Sequence, residues 1–284
     1  MVRIRPCNGP VSLSGGDRVI EVIKVLKLEA REIQMVRFLS RIIVLLVMAI
    51  LTGSVYASVV INGTRVIYPG KEREVVVQIE NKNPRPALVQ SWMDSGNEDE
   101  LPQNSTAPFL LSPPLVRIDE GQGQALRLIY NQKSLPQDRE SVFWLNVLDI
   151  PPDPKGKILS EQYLQLAVRT RIKVFFRPQG LPGTATEAPA KLNWRIVPDG
   201  KGQYGLECDN PTAFHVSFGG ITLKGADGAN KSENKQGILM VAPKSKLLIA
   251  MKNLNGPLAA NSKVKFDYIS DYGAYIEQTS ALSN

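Results

Sequence analysis

The sequence predicts an all-β protein built as two packed sandwiches, and three observations carry that prediction. From Val59 onward, short runs rich in Val, Ile, Leu and Tyr alternate with Gly, Pro, Asn and Asp. No long segment after residue 58 holds a helical period. A Pro- and Gly-rich stretch then divides this part of the chain into two pieces of similar size.

The elements follow in order. Val59 to Tyr68 is a strand stopped by the turn pair Pro69-Gly70. Glu74 to Glu80 follows, with Val75, Val77 and Ile79 on one face and Glu74, Val76, Gln78 and Glu80 on the other; Asn81-Lys82-Asn83-Pro84 then turns the chain. Ala87 to Trp92 is a third strand and Asn97-Glu98-Asp99-Glu100 a solvated loop. Leu115 to Ile118, Gln124 to Tyr130, Ser141 to Leu148 and Tyr163 to Phe176 complete the first piece. In Arg177-Pro178-Gln179-Gly180-Leu181-Pro182-Gly183-Thr184, Pro and Gly break a strong strand and open a loop. Beyond it the strands are Lys191 to Val197, Tyr204 to Cys208, His215 to Leu223, Gly237 to Val241, Lys246 to Met251 and Lys263 to Ile269. Each piece, residues 58–178 and 184–284, is the size of one immunoglobulin-like domain.

The amino-terminal segment reads differently. The apolar run from Ile42 to Leu51 is about half the roughly twenty residues that a spanning helix needs. Arg37 and Arg41 precede it, and Val55-Tyr56-Ala57 places small residues where a signal peptidase cuts. Residues 1–57 are therefore expected to be a leader cleaved after Ala57, with no stable membrane insertion afterwards. A membrane anchor is the competing reading, and the length of the run disfavours it. Met35 would make a conventional start, so residues 1–34 read as a misassigned start or an unusual leader. After cleavage Cys208 is the sole cysteine, so no intramolecular disulfide can form even in an oxidising compartment.

Composition excludes several functions. The chain carries 34 Lys and Arg against 27 Asp and Glu, net +7, but the leader holds eight of the basic and four of the acidic residues and its removal leaves +3. No Lys/Arg-rich run marks a nucleic-acid partner. One His (His215) and two Cys (Cys7, Cys208) cannot build a Cys/His zinc site or a histidine relay, so no metal is expected. Hydrolase, kinase and dinucleotide motifs are missing, and neither a cofactor nor an enzymatic activity is expected. His215, between Phe214 and Val216, reads as a structural or surface residue.

The informative stretch runs from Leu135 to Pro178. Its last strand joins an apolar comb, Leu164, Leu166 and Val168, to a basic series, Arg169, Arg171 and Lys173. A long apolar edge strand is a hazard, because its unpaired backbone groups recruit other chains. The comb either faces the protein's own core or meets a partner, and the cations are either solvated surface charges or a binding pair. Lys173 has the opposite parity to the comb, so a bulge or strong twist is required if both face one partner.

Several segments together resemble one family. They are Thr64-Arg65-Val66-Ile67-Tyr68, Ser112-Pro113-Pro114, Leu135 to Ser141, Ile150-Pro151-Pro152, Ile172-Lys173-Val174-Phe175-Phe176-Arg177-Pro178, Asn210-Pro211-Thr212 and Tyr268-Ile269-Ser270-Asp271-Tyr272-Gly273. The resemblance is to the periplasmic pilus-assembly chaperones, the PapD-like group, over almost all of residues 58–284. It implies two Ig-like domains in a boomerang arrangement, acting in the periplasm. By donor-strand complementation such a protein binds, folds and caps pilin (fimbrial) subunits and delivers them to an outer-membrane usher. It further implies that Arg65 and Lys173 anchor the subunit's terminal carboxylate, that Leu164, Leu166 and Val168 fill the subunit's open groove, and that Arg177, Glu140 and Asp271 form an interdomain salt bridge. The polar loop from Asp153 to Tyr163 is similar to the short loop of the rod-assembling branch. The alternative is a secreted Ig-like binding module, such as an adhesin or carbohydrate receptor, which would need aromatic clusters at loop tips.

Overall fold

The computed structural model describes residues 37, 39–43, 59–151, 166–200, 203–234, 239–252, 254, 256, 258–259 and 261–283. The cleavage position after Ala57, most of the leader, the polar loop at 153–163 and Leu164 of the comb lie outside the described residues. The compact unit that carries the fold runs Tyr56–Asn284.

Nine strands build the first sandwich: β1 (Val59–Ile61), β2 (Arg65–Pro69), β3 (Glu74–Asn81), β4 (Ala87–Asp94), β5 (Phe109–Ser112), β6 (Leu115–Ile118), β7 (Gly123–Tyr130), β8 (Ser141–Ile150) and β9 (Val168–Arg177). One sheet has the order β1-β3-β7-β5 and the other β2-β9-β8-β4-β6. The alternation read in β3 is realised: Val77 and Ile79 are buried while Val76 faces solvent. The inner faces interdigitate Tyr68, Val89, Leu126, Leu128, Leu145, Val174 and Phe176.

The single strand expected over Val59 to Tyr68 is two strands in different sheets. β1 runs antiparallel to β3, whereas β2 runs parallel to β9. The chain crosses between the sheets at Gly63, whose φ of +115° is open to glycine and strained for any other residue. This switch places Arg65 beside Lys173, midway along β9.

The second sandwich comprises β10 (Asn193–Pro198), β11 (Tyr204–Asn210), β12 (Val216–Lys224), β13 (Asn230–Asn234), β14 (Leu239–Val241), β15 (Ser245–Ala250), β16 (Lys263–Ile269) and β17 (Tyr275–Ala281). Its sheets have the orders β10-β11-β15 and β13-β12-β16-β17, with β14 also pairing β12. Trp194, Phe218 and Phe266 form its aromatic centre, with ring centroids 5.1–5.6 Å apart. Cys208 is buried among them as a free thiol, its pKa pushed up to about 12 by burial and by the neighbouring Asp209 and Glu207 carboxylates.

No bulge separates Val168, the last residue of the comb, from Lys173. The pairing of β8 with β9 is unbroken from Asp149↔Val168 to Ser141↔Phe176, and that of β2 with β9 from Arg65↔Lys173 to Pro69↔Arg177. The sequence left a bulge or a twist as the two ways to reconcile their parities, and from Val168 to Phe176 the register holds no bulge. Ile172, Val174 and Phe176 point into the core, and Arg171 and Lys173 lie on the other face. The core-facing side of β9 continues past the end of the core, where Val168 is 45% exposed; Leu166, just before the strand, is 68% exposed.

Candidate functional site

Three local features converge at the start of β2. In β9 the basic series Arg169, Arg171 and Lys173 occupies alternate positions, so all three share one face. Arg65, the first residue of β2, sits directly opposite Lys173. The turn between β16 and β17 closes the third side through Ile269, Gly273 and Tyr275. The result is a cleft of about 340 Å³ whose walls include Thr64, Arg65, Trp144, Lys173, Ile269 and Tyr275.

The three cations are not equivalent. Arg171 is committed: its Nε and Nη2 donate to the two Asp94 oxygens at 2.8 and 2.6 Å, and its guanidinium lies 4.6 Å from the Trp144 ring. Asn146 Nδ2 donates to the same carboxylate at 2.7 Å. Burial pushes the Asp94 pKa up, but the hydrogen bonds from Arg171, Asn146 and the Gly96 N–H outweigh it and hold the carboxyl below its ordinary value. Arg65 donates from Nη1 to the Ile269 carbonyl at 2.9 Å, and its Nε is buried without a partner. The Lys173 ammonium is in no hydrogen bond or ion pair among the described residues. Burial, then the positive charges of Arg65 and Arg171, lower its pKa. Burial likewise lowers that of Arg65, against the pull of Asp271.

A strand edge is open beside these cations. β8 pairs with β9 over Val168–Phe176, but β2 covers the other side only from Lys173 onward. Residues 168–172 therefore carry backbone groups unpaired with any described strand on that side, next to the exposed Leu166 and Val168 side chains.

The remaining residues singled out in the sequence meet where the two sandwiches join. Arg177 Nε donates to Glu140 Oε1 at 2.6 Å, and its Nη1 and Nη2 donate to the Asp271 oxygens at 2.8 and 3.0 Å. Glu140 is buried and also accepts the His215 backbone N–H at 2.8 Å; His215 Nδ1 lies 3.3 Å from the same oxygen. His215 thus packs inside the joint, 5.5 Å from the Phe175 ring.

Sequence reasoning missed Asp94 and Asn146, which hold Arg171, and Tyr275 and Ile269, which wall the cleft. The alternating Arg169, Arg171, Lys173 pattern was visible. Nothing in it showed which cation was already neutralised, because Asp94 is 77 residues from Arg171.

Comparison with known proteins gives a consistent result. The family model for the "Pili and flagellar-assembly chaperone, PapD N-terminal domain" matches residues 58–182, and that for the "Pili assembly chaperone PapD, C-terminal domain" matches residues 187–280. The chain is 43% identical over 233 residues to the probable fimbrial chaperone YadV of Escherichia coli (strain K12), covering 81% of this chain and 92% of the relative. It is 38% identical over 244 residues to the chaperone protein FimB/FhaD of Bordetella pertussis, covering 84% and 93%. The crystal structure of the YadV chaperone superposes with a TM-score of 0.67 at 42% identity, over 80% of this chain and all of that one. The CupB2 chaperone of Pseudomonas aeruginosa gives 0.64 at 32% identity, over 79% and 100%.

Proposed function

The chain belongs to the PapD-like pilus-assembly chaperones, which are chaperones and not enzymes, and from that premise we propose that it captures pilin subunits along β9 and anchors their terminal carboxylate on Arg65 and Lys173. The observation that carries this reading is the open edge of residues 168–172, which stops where β2 begins at Arg65. A strand added to that edge cannot continue past Arg65, since β2 already occupies the next position. It must end there, and an added strand whose carboxyl end meets Arg65 runs parallel to β9.

Energetics favour a carboxylate at that point. Two half-buried cations with no ion pair among the described residues have lost hydration, and the one bond from Arg65 to the Ile269 carbonyl offsets only part of that loss. A carboxylate accepting charge-assisted hydrogen bonds from both restores the balance. The side chains of Leu166 and Val168 enter the partner's groove, each contributing at most about 1.5–3 kcal/mol on full burial, while backbone bonding along the edge tolerates many subunit sequences. Leu164 takes the next place in the same comb. The Arg177, Glu140 and Asp271 network fixes the angle at which the two domains flank the subunit.

We place this activity in the periplasm, after removal of a leader ending at Ala57, with domains over 58–178 and 184–284 and delivery of the captured subunit to an outer-membrane usher. Among the described residues no helix is long and apolar enough to cross a membrane. The family match favours this reading over a secreted adhesin or carbohydrate receptor. The test is co-purification of a pilin subunit from periplasm with the intact protein and with Arg65→Ala and Lys173→Ala. Loss of the complex in both variants, with the chaperone still folded, is the expected result; a normal complex from either removes the anchor role.

A further inference from the structure

The hairpin joining β16 to β17 is built against the cation pair, and its first strand residue, Tyr275, has a seat made for it. Tyr275 pairs with Ile269 across the two strands, and Ile269 is the residue whose carbonyl accepts from Arg65. The intervening turn is closed by Ser270 N–H to Ala274 O and Gly273 N–H to Ser270 O, both 2.9 Å. Gly273, at φ +83°, passes so close to Thr64 that an added Cβ would run into its Oγ1. On the sheet side, β12 shifts register between Phe218 and Gly220, and Gly219 is the residue left over. An added Cβ there would collide with Cε1 and Cδ1 of the Tyr275 ring. The bulge and the missing side chain together let one edge of that ring rest where a Gly219 side chain would be, while the residue remains 62% exposed and lines the same cleft as Arg65 and Lys173.

We propose that Tyr275 is a third member of the anchor, a specificity-determining residue whose phenolic hydroxyl donates a hydrogen bond to the carboxylate held by Arg65 and Lys173, and that Gly219 is its positioning residue. This rests on the carboxylate-anchor reading above. A phenol complements the two cations well: it donates to an anion without adding a third positive charge beside Arg65 and Lys173. Its electrostatic coupling to the Arg65 guanidinium agrees with a hydroxyl near the anchor. Tyr272, at the tip of the same turn, is 98% exposed and has no such seat.

The experiment uses a synthetic peptide of alternating valine and threonine that ends in a free carboxylate, and its amidated twin. Binding of each is measured by calorimetry to the intact protein and to Tyr275→Phe, Gly219→Ala and Lys173→Ala, with thermal melts to confirm folding. Tyr275→Phe is expected to weaken the free acid roughly ten-fold and to leave the amide unchanged. Gly219→Ala is expected to do the same alone, and to add nothing in combination with Tyr275→Phe. Equal free-acid binding by Tyr275→Phe and the intact protein overturns the proposal while the anchor stands, provided that Lys173→Ala still abolishes the preference for the acid. If the intact protein itself shows no preference for the acid, the anchor falls and this inference with it.

Discussion

Lys173 and Arg65 stand directly opposite one another in the parallel register of β9 and β2, and neither is in an ion pair among the described residues. Burial, followed by the charges of Arg65 and Arg171, holds the Lys173 ammonium below the ordinary lysine range. The unfolded chain therefore keeps its proton at pH values where the folded chain has begun to release it. With more protons bound in the unfolded state, stability rises with pH between the folded value and the unfolded one near ~10.4. Chemical denaturation from neutral to alkaline pH is expected to show that rise. Lys173→Met keeps the aliphatic stem and removes the charge, so it is expected to flatten the slope and raise the free protein's midpoint while losing the free-carboxylate preference. A midpoint that falls in this variant would show that Lys173 stabilises the unliganded chaperone.

Arg171, two residues earlier, belongs to stability and not to capture. Its Asp94 partner is 1% exposed and holds a bidentate pair that Asn146 completes. Arg171→Ala strands that carboxylate, and about 3 kcal/mol of unfolding free energy is expected to be lost at pH 7. The pH signature is distinct: the Asp94 pKa is lowered in the folded state, so its contribution is present above the unfolded value near ~3.9 and disappears as pH falls through the folded one. Urea midpoints of the intact protein and the variant should therefore converge at acid pH. Parallel curves at all pH values would contradict the assignment.

Glu140 ties the sandwiches together from the first domain's side, accepting from Arg177 and from the His215 backbone, while its own N–H donates to the Ala213 carbonyl at 2.9 Å. Glu140→Ala leaves the part-buried His215 N–H without its carboxylate acceptor and Arg177 with Asp271 alone. A loss of about 3 kcal/mol is expected, lowering the calorimetric Tm by roughly 6–12 °C for a chain of this size. Asp271→Ala touches the more exposed partner of the same arginine and should cost clearly less. Equal losses would mean that the burial of Glu140 contributes nothing beyond the ion pair.

Much of this was legible before the structure, for a physical reason. The strands of both cores announce themselves by alternation, as in Val75, Val77 and Ile79, because burial on one face leaves a period of two. Polar strands leave no such trace: β13, Asn-Lys-Ser-Glu-Asn, was invisible because it is held by pairing to β12 and not by apolar burial. The break of Val59 to Tyr68 into two strands was missed although Asn62-Gly63 is a turn pair, because the apolar residues on both sides of it read as one continuous run. At the site, Arg65 and Lys173 came from a resemblance, since the parallel register that joins them links residues 108 apart. The distinction between committed Arg171 and uncommitted Lys173 needed coordinates, because it depends on which carboxylate the fold brings near.

The comb separates folding from capture most cleanly. Val168 and Leu166 are 45% and 68% exposed, and neither belongs to the core that Ile172, Val174 and Phe176 fill. A charge at either position meets water in the free protein, so Leu166→Asp and Val168→Asp are expected to shift stability by no more than about 0.5 kcal/mol. In the complex the same carboxylate must enter an apolar groove, losing the transfer energy of the aliphatic side chain and adding the cost of desolvating an ion. Each substitution is expected to lower subunit affinity at least about ten-fold, with both lost contacts felt together in the double variant. Val174→Asp serves as the contrast: it lies at 0% exposure on the same face of the same strand, and it should unfold the domain before capture can be measured. Pull-down of a co-expressed pilin subunit alongside a thermal melt reads both quantities. A comb variant that melts normally and still retains its subunit at full yield would show that the exposed face of β9 is not what the subunit binds.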